Sequence, residues 1–67
     1  EFTVKPGSLI TKRMVKDLGL PKGTTIGGLV RKGEGVVVTG NTQIQADDHV
    51  VVFCLSMMIK KIEKYFN

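Results

Sequence analysis

Few residues in this chain have chemical reach, and three of them are adjacent: Asp47, Asp48 and His49. Carboxylates beside an imidazole can orient it, share a cation with it or pass it a proton. Three neighbours in one tight turn rarely converge on a single metal, and this trio runs straight into an apolar stretch. It reads as a polar turn rather than a site. The second cluster is Lys60, Lys61 and Lys64 near the C-terminus. It could meet anionic lipid or nucleic acid, but such a cluster is more often the ordinary wet side of an amphipathic helix. Recognition of nucleic acid calls for aromatic rings interleaved with the cations. Tyr65 and Phe66 belong to the apolar side instead, so no nucleic-acid partner is expected. The one thiol, Cys54, lies inside the apolar run, where a buried, inert state is expected. One Cys and one His cannot close a zinc site without carboxylates. Ser8 and Ser56 have no His nearby in sequence and sit in no G-x-S-x-G turn. The glycines of Gly23–Gly28 and Gly33–Gly35 lack the spacing of a phosphate loop and read as turns. These residues predict no catalytic group, no metal site and no cofactor held within the segment: the chain does not read as an enzyme.

The elements that carry these residues are organised around Val50-Val51-Val52-Phe53-Cys54-Leu55, six apolar residues in a row. A strand wet on one face would alternate, so this run predicts a central strand covered on both faces. It is far short of the ~20 residues a membrane helix needs. Phe2-Thr3-Val4-Lys5 reads as a first short strand, stopped by Pro6-Gly7-Ser8. Thr11 suits the N-cap of a two-turn helix from Lys12 to Leu18, with Met14, Val15 and Leu18 as its apolar stripe. Gly19 fits the left-handed position beyond that helix, and Pro21 prevents its resumption. Thr24 to Arg31 predicts the next strand, in which Gly27-Gly28 suggests a bulge or another backbone packed close against it. Lys32-Gly33-Glu34-Gly35 is a hairpin loop, and Val36-Val37-Val38 the returning strand. Ser56 can cap a final helix from Met57 to Phe66, with Met58, Ile59, Ile62, Tyr65 and Phe66 on its apolar face. The order strand, helix, strand, strand, strand, helix gives an α+β domain: a small sheet with helices packed on it.

Sixty-seven residues make one domain, 1–67, with a core worth only about 3–5 kcal/mol. With one cysteine there is no internal disulfide, so a partner subunit is the expected supplement: a homodimer, or a domain cut from a longer chain. Ten Lys and Arg against six Asp and Glu leave a net charge of +4, which permits weak attraction to anionic partners without demanding it. No charged start followed by an apolar stretch marks a signal peptide, and the role of Glu1-Phe2 is left open. The lone, apolar-set cysteine fits a reducing compartment.

Val4-Lys5-Pro6-Gly7-Ser8-Leu9-Ile10, then Lys16-Asp17-Leu18-Gly19-Leu20-Pro21-Lys22-Gly23, resembles the C-terminal domain of Trk potassium-uptake regulators, also called the RCK C-terminal domain. The likeness continues through Leu29-Val30-Arg31-Lys32-Gly33, Val36-Val37-Val38 and Gly40-Asn41-Thr42 to Ala46-Asp47-Asp48-His49-Val50-Val51-Val52-Phe53. No single motif is unique; order and spacing carry it. Two departures stand out. Asp47-Asp48 replaces the usual Gly-Asp, which the turn survives because Asp tolerates the left-handed conformation. Gly27-Gly28 replaces apolar residues usual in that strand. The resemblance implies a cytoplasmic regulatory module, peripheral at the inner face of the membrane, that gates a potassium transporter or channel. It implies a homodimer, a nucleotide-binding Rossmann domain elsewhere in the full-length chain, and a small effector such as cyclic di-AMP in some relatives. A TrkA-C-like domain attached to an antiporter, an anion transporter or a DNA-binding regulator is the alternative, to be separated by the flanking sequence. No ligand-binding residue is assigned. From its apolar content, the last helix, with Met58, Ile59, Ile62, Tyr65 and Phe66, together with the hairpin strands, is expected to present the pairing surface.

Overall fold

Two positive-φ residues decide where the chain first turns back on itself. Lys32 (φ 52°) and Gly33 (φ 79°) form a two-residue hairpin loop whose twist matches the strands it joins. In the computed structural model, which describes residues Glu1–Asn67, this loop connects β2 (Thr25–Arg31) to β3 (Glu34–Val36). Two further strands, β1 (Phe2–Thr3) and β4 (His49–Phe53), complete one antiparallel sheet in the order β1-β4-β2-β3. The sheet carries a C-terminal helix, α1 (Ile59–Phe66), and the α+β class holds.

The apolar run does form an interior strand, between β1 and β2, but it is shorter than expected and covered on one face only. Val50 is buried and Val52 packs beside the core, whereas Phe53 and Leu55 are exposed. The physical reason is the number of layers: one helix and a few turns cover a single side of four strands. Cys54 is half-buried rather than enclosed.

Gly27-Gly28 is a bulge. Ile26 pairs with Val52 and Leu29 with Val50, so three residues of β2 span what two span on β4. Strict alternation would place Ile26 and Leu29 on opposite faces; the extra residue sends both toward the core. What packs against Gly27 is the side-chain ring of Phe53, not another backbone. A Cβ built on Gly27 would lie 2.5 Å from Cε2 of Phe53.

The core consists of Val4, Ile10, Leu29, Ile44, Val50, Ile62 and Phe66, with the rings of Phe2 and Phe66 stacked at 4.7 Å. Ile62 and Phe66 tie α1 to the sheet, each burial worth about 1.5–3 kcal/mol. The helix is shorter than the expected Met57–Phe66. Ser56–Met58 is a single 3-10 turn, and no side chain caps it or α1.

The expected helix Lys12–Leu18 is not α-helical. Leu9–Thr11 and Val15–Asp17 are separate 3-10 turns. The Val15 N–H donates to Thr42 O at 3.0 Å and the Lys16 N–H to Gly40 O at 2.9 Å. Partners across the fold have replaced the i−4 carbonyls a helix would use. The Thr11 hydroxyl donates back to Ser8 O at 2.7 Å instead of capping. Gly19 does take the left-handed conformation (φ 63°), as does Asp47 (φ 71°) in the turn before β4.

Candidate functional site: the uncovered face of the sheet

Side chains that alternate away from the core must lie on the far side of the sheet, and here nothing covers them. On β4 these are His49, Val51 and Phe53; their paired neighbours on β2 are Val30, Gly28 and Thr25, and Val30 in turn pairs with Gly35 of β3. Valines stand around a floor of Gly27, Gly28 and Gly35, leaving an open groove of about 480 Å3. Val37, just beyond β3, is 85 % exposed. The groove holds no ionised side chain, and its concavity comes from glycines that contribute no Cβ. The groove can bind by excluded water and by shape, and none of its lining side chains is an acid, base or nucleophile.

At the end of β2, on the opposite side of the sheet, an ion pair ties the strands together. Asp48 is buried, with 1 % of its surface exposed, and both its oxygens are engaged. Arg31 Nε donates to Oδ1 at 2.9 Å and Arg31 Nη2 to Oδ2 at 2.7 Å. The backbone N–H of Gln45 donates to Oδ2 at 2.9 Å. The guanidinium fork holds the Asp48 carboxyl below its ordinary range, against burial, which pushes the other way, and with help from the Gln45 N–H. The same contact raises Arg31 above its ordinary value. Arg31 Nη2 also donates to Gln43 O at 3.1 Å. One arginine at the end of β2 thereby holds both the hairpin and the loop that delivers β4.

The acidic trio is thus divided by the fold. Asp48 points inward to Arg31, Asp47 is exposed with a positive φ, and His49 lies on the open face. His49 Nδ1 is 3.2 Å from Thr3 Oγ1 and 3.9 Å from a carboxylate oxygen of Glu1. No group of three His, Cys, Asp or Glu side chains is arranged to hold a metal ion. Lys60, Lys61 and Lys64 occupy the solvent side of α1. Of the apolar helix residues expected at a pairing surface, Ile62 and Phe66 are withdrawn into the chain's own core, and Met58 and Tyr65 are half-buried. Only Ile59 remains largely open. Arg31 was missed as a structural anchor. The signal was present, an arginine ending one strand and an aspartate just before another, but the pairing spans seventeen residues. No periodicity reports such a contact.

The profile of the TrkA-C domain matches residues 1–67, the entire chain. The chain belongs to the TrkA-C domain family. Curated relatives agree. A Trk system potassium uptake protein TrkA of Vibrio alginolyticus is 43 % identical over 61 residues, 90 % of this chain and 13 % of that protein. A TrkA homolog of Archaeoglobus fulgidus is 39 % identical over 67 residues, 100 % of this chain and 15 % of that protein. A third, from Azorhizobium caulinodans, is 39 % identical over 60 residues, 90 % of this chain and 13 % of that protein. The TrkA-C domain therefore spans about one-seventh of the length of the curated relatives it matches. A solved structure described as "Structure of RCK domain with cda" superposes with a TM-score of 0.77 at 15 % identity, covering 98 % of this chain and 93 % of that one. It shares the fold. No helix here is long and apolar enough to cross a membrane.

Proposed function

We propose that this TrkA-C domain is a regulatory, non-catalytic module of a Trk-type potassium uptake system, and that it works as a homodimer paired through the uncovered face of its sheet. The observation that supports the pairing is the uncharged Val–Gly groove, flanked by Val37, on a domain whose own core is small. A neutral face is self-complementary under two-fold symmetry, since no charge meets its like. Pairing through the sheet also leaves Ile62 and Phe66 in the core, where the single chain needs them. An effector of the cyclic di-AMP class, held between the paired domains, would favour one arrangement of the pair and shift its population. A coupling of about 1–3 kcal/mol is sufficient to gate a transporter at the inner face of the membrane. A nucleotide-binding Rossmann domain in the full-length chain would pass that shift onward.

Sedimentation velocity over a concentration series tests the pairing. A dimer that Val37→Lys or Val51→Lys converts to a monomer of unchanged far-UV spectrum supports it. A strict monomer at every concentration refutes it. Thermal-shift titration with cyclic di-AMP tests the sensing, because binding to the native form alone raises stability by mass action. An unmoved midpoint at saturating ligand refutes that part.

A further inference from the structure

Four of the seven large apolar side chains exposed on this domain fall within one seven-residue stretch: Phe53, Leu55, Met57 and Ile59. Phe53 belongs to the sheet face. The other three surround the 3-10 turn Ser56–Met58, with Met57 79 % exposed. This turn is held in place, since the Met58 N–H donates to Leu55 O at 2.8 Å, so Met57 is presented at its crest. Lys60, Lys61 and Lys64 follow directly on the exposed side of α1, with Glu63 as the only carboxylate among them. Lys5 joins the far end of the helix, its backbone N–H donating to Phe66 O at 3.3 Å.

We infer that the Leu55–Ile59 turn and the lysines of α1 form a docking surface for an anionic lipid bilayer. Charge selects the occupant. A second copy meeting this surface across a two-fold axis would set lysine against lysine, which disfavours self-pairing here and favours a negatively charged partner. The form of the surface selects lipid over an acidic protein. The two concave features of the domain lie elsewhere, on the open sheet face and beside Ile62 under the helix, so this turn offers nothing for a shaped partner to fill. Met57 and Leu55 are flexible apolar side chains that enter the headgroup boundary without a fixed mould. Lysines are compact point charges suited to a diffuse layer of phosphates, with none of the planar fork that arginine brings to a specific carboxylate. The inference stands apart from pairing through the sheet and does not rest on it.

Co-sedimentation of the purified chain with phosphatidylcholine vesicles, with and without phosphatidylglycerol, tests it. Binding is expected only where the anionic lipid is present, and it weakens as salt is raised. Lys60→Gln/Lys61→Gln/Lys64→Gln is expected to lower partitioning roughly 100-fold, at about fivefold per lysine near the surface. Met57→Ser, which leaves the charge intact, is expected to lower it roughly tenfold. All these positions are exposed, so far-UV spectra should match the parent chain. No binding to phosphatidylglycerol vesicles, or binding indifferent to both the triple and the Met57 variants, overturns the proposal. Capture by polyglutamate without capture by vesicles also overturns it, in favour of an acidic protein partner.

Discussion

Replacing Arg31 by Met isolates the contact that ties the hairpin to the loop before β4. The substitution keeps the aliphatic stem and removes the guanidinium. Asp48 then loses two of its three charge-assisted hydrogen bonds, those at 2.9 and 2.7 Å, and keeps only the Gln45 N–H. Removing one partner of a buried pair costs about 3–5 kcal/mol, because the other charge stays desolvated. The Arg31 side chain is 27 % exposed, so water reaches the mouth of the vacated site, and a loss of about 2–3 kcal/mol is expected here. Against a core worth about 3–5 kcal/mol this is most of the stability. With a urea slope near 1 kcal/mol per M, the midpoint should fall by about 2–3 M at unchanged slope. Asp48→Asn removes the charge but retains an acceptor for the Gln45 N–H, so it should cost less, about 1–2 kcal/mol. The double variant should be less destabilised than the sum, by 1 kcal/mol or more. A loss under about 0.5 kcal/mol for Arg31→Met, the value of an exposed pair, would show that water screens the contact and that the argument is wrong.

The same pair fixes the sign of the acid response. The Asp48 carboxyl lies below its ordinary value of 3.8 in the folded chain, so near and below that pH the unfolded chain binds the extra proton. Stability from this group is complete above the unfolded value and is lost as pH falls through the folded one. The parent chain should therefore lose urea resistance steeply below about pH 4, and Arg31→Met should start lower and fall less over the same range. Equal acid slopes for the two proteins would assign the acid sensitivity to other carboxylates.

Three further substitutions read out other parts of the fold. Asp47→Gly should be neutral or stabilising by up to about 1 kcal/mol, and Asp47→Val should cost about 1–2 kcal/mol, because the residue sits at φ 71°; urea midpoints decide. Gly27→Ala forces the exposed Phe53 ring aside, since the new Cβ would meet it at 2.5 Å. Its stability cost should stay under about 1 kcal/mol while the open face changes shape, visible as shifts of the Phe53 ring and Val51 methyl NMR signals. Ile62→Ala should cost about 2–4 kcal/mol by leaving a cavity under α1; a change below about 1 kcal/mol would show that the helix is peripheral to folding.

Legibility followed the range of the interactions. The left-handed turns at Gly19 and Asp47 were readable because the requirement is local to one residue. The bulge at Gly27-Gly28 was readable because two glycines inside a β-prone run have few other uses. The helix over Lys12–Leu18 was misread because its apolar spacing is helical while its N–H groups bond to Gly40 and Thr42, more than twenty residues away. The run Val50–Leu55 was misread as two-faced because a continuous apolar stretch looks alike whether its second face meets a helix, another copy or water. The expectation of pairing side chains on α1 rests on the same kind of signal. Periodicity identified an apolar stripe, and Ile62 and Phe66 are that stripe, but it could not say that the chain's own sheet had taken them.

What remains outside the core divides by charge, and that division orders the two proposed interaction surfaces. The face around Val51, Val30 and Val37 is neutral and floored by glycine, so close approach of an identical face costs no repulsion and little steric strain. The turn at Met57 is equally apolar but is followed by three lysines and one glutamate, so an identical copy is the partner it suits least. The two surfaces meet at Phe53, whose ring lies over Gly27 on the sheet side and whose chain continues through Cys54 to Leu55 on the turn side. Three residues, Cys54 to Ser56, separate Phe53 from Met57, so the two surfaces adjoin along the chain. The glycine at position 27 is what gives that ring somewhere to rest, since a Cβ there would meet it at 2.5 Å.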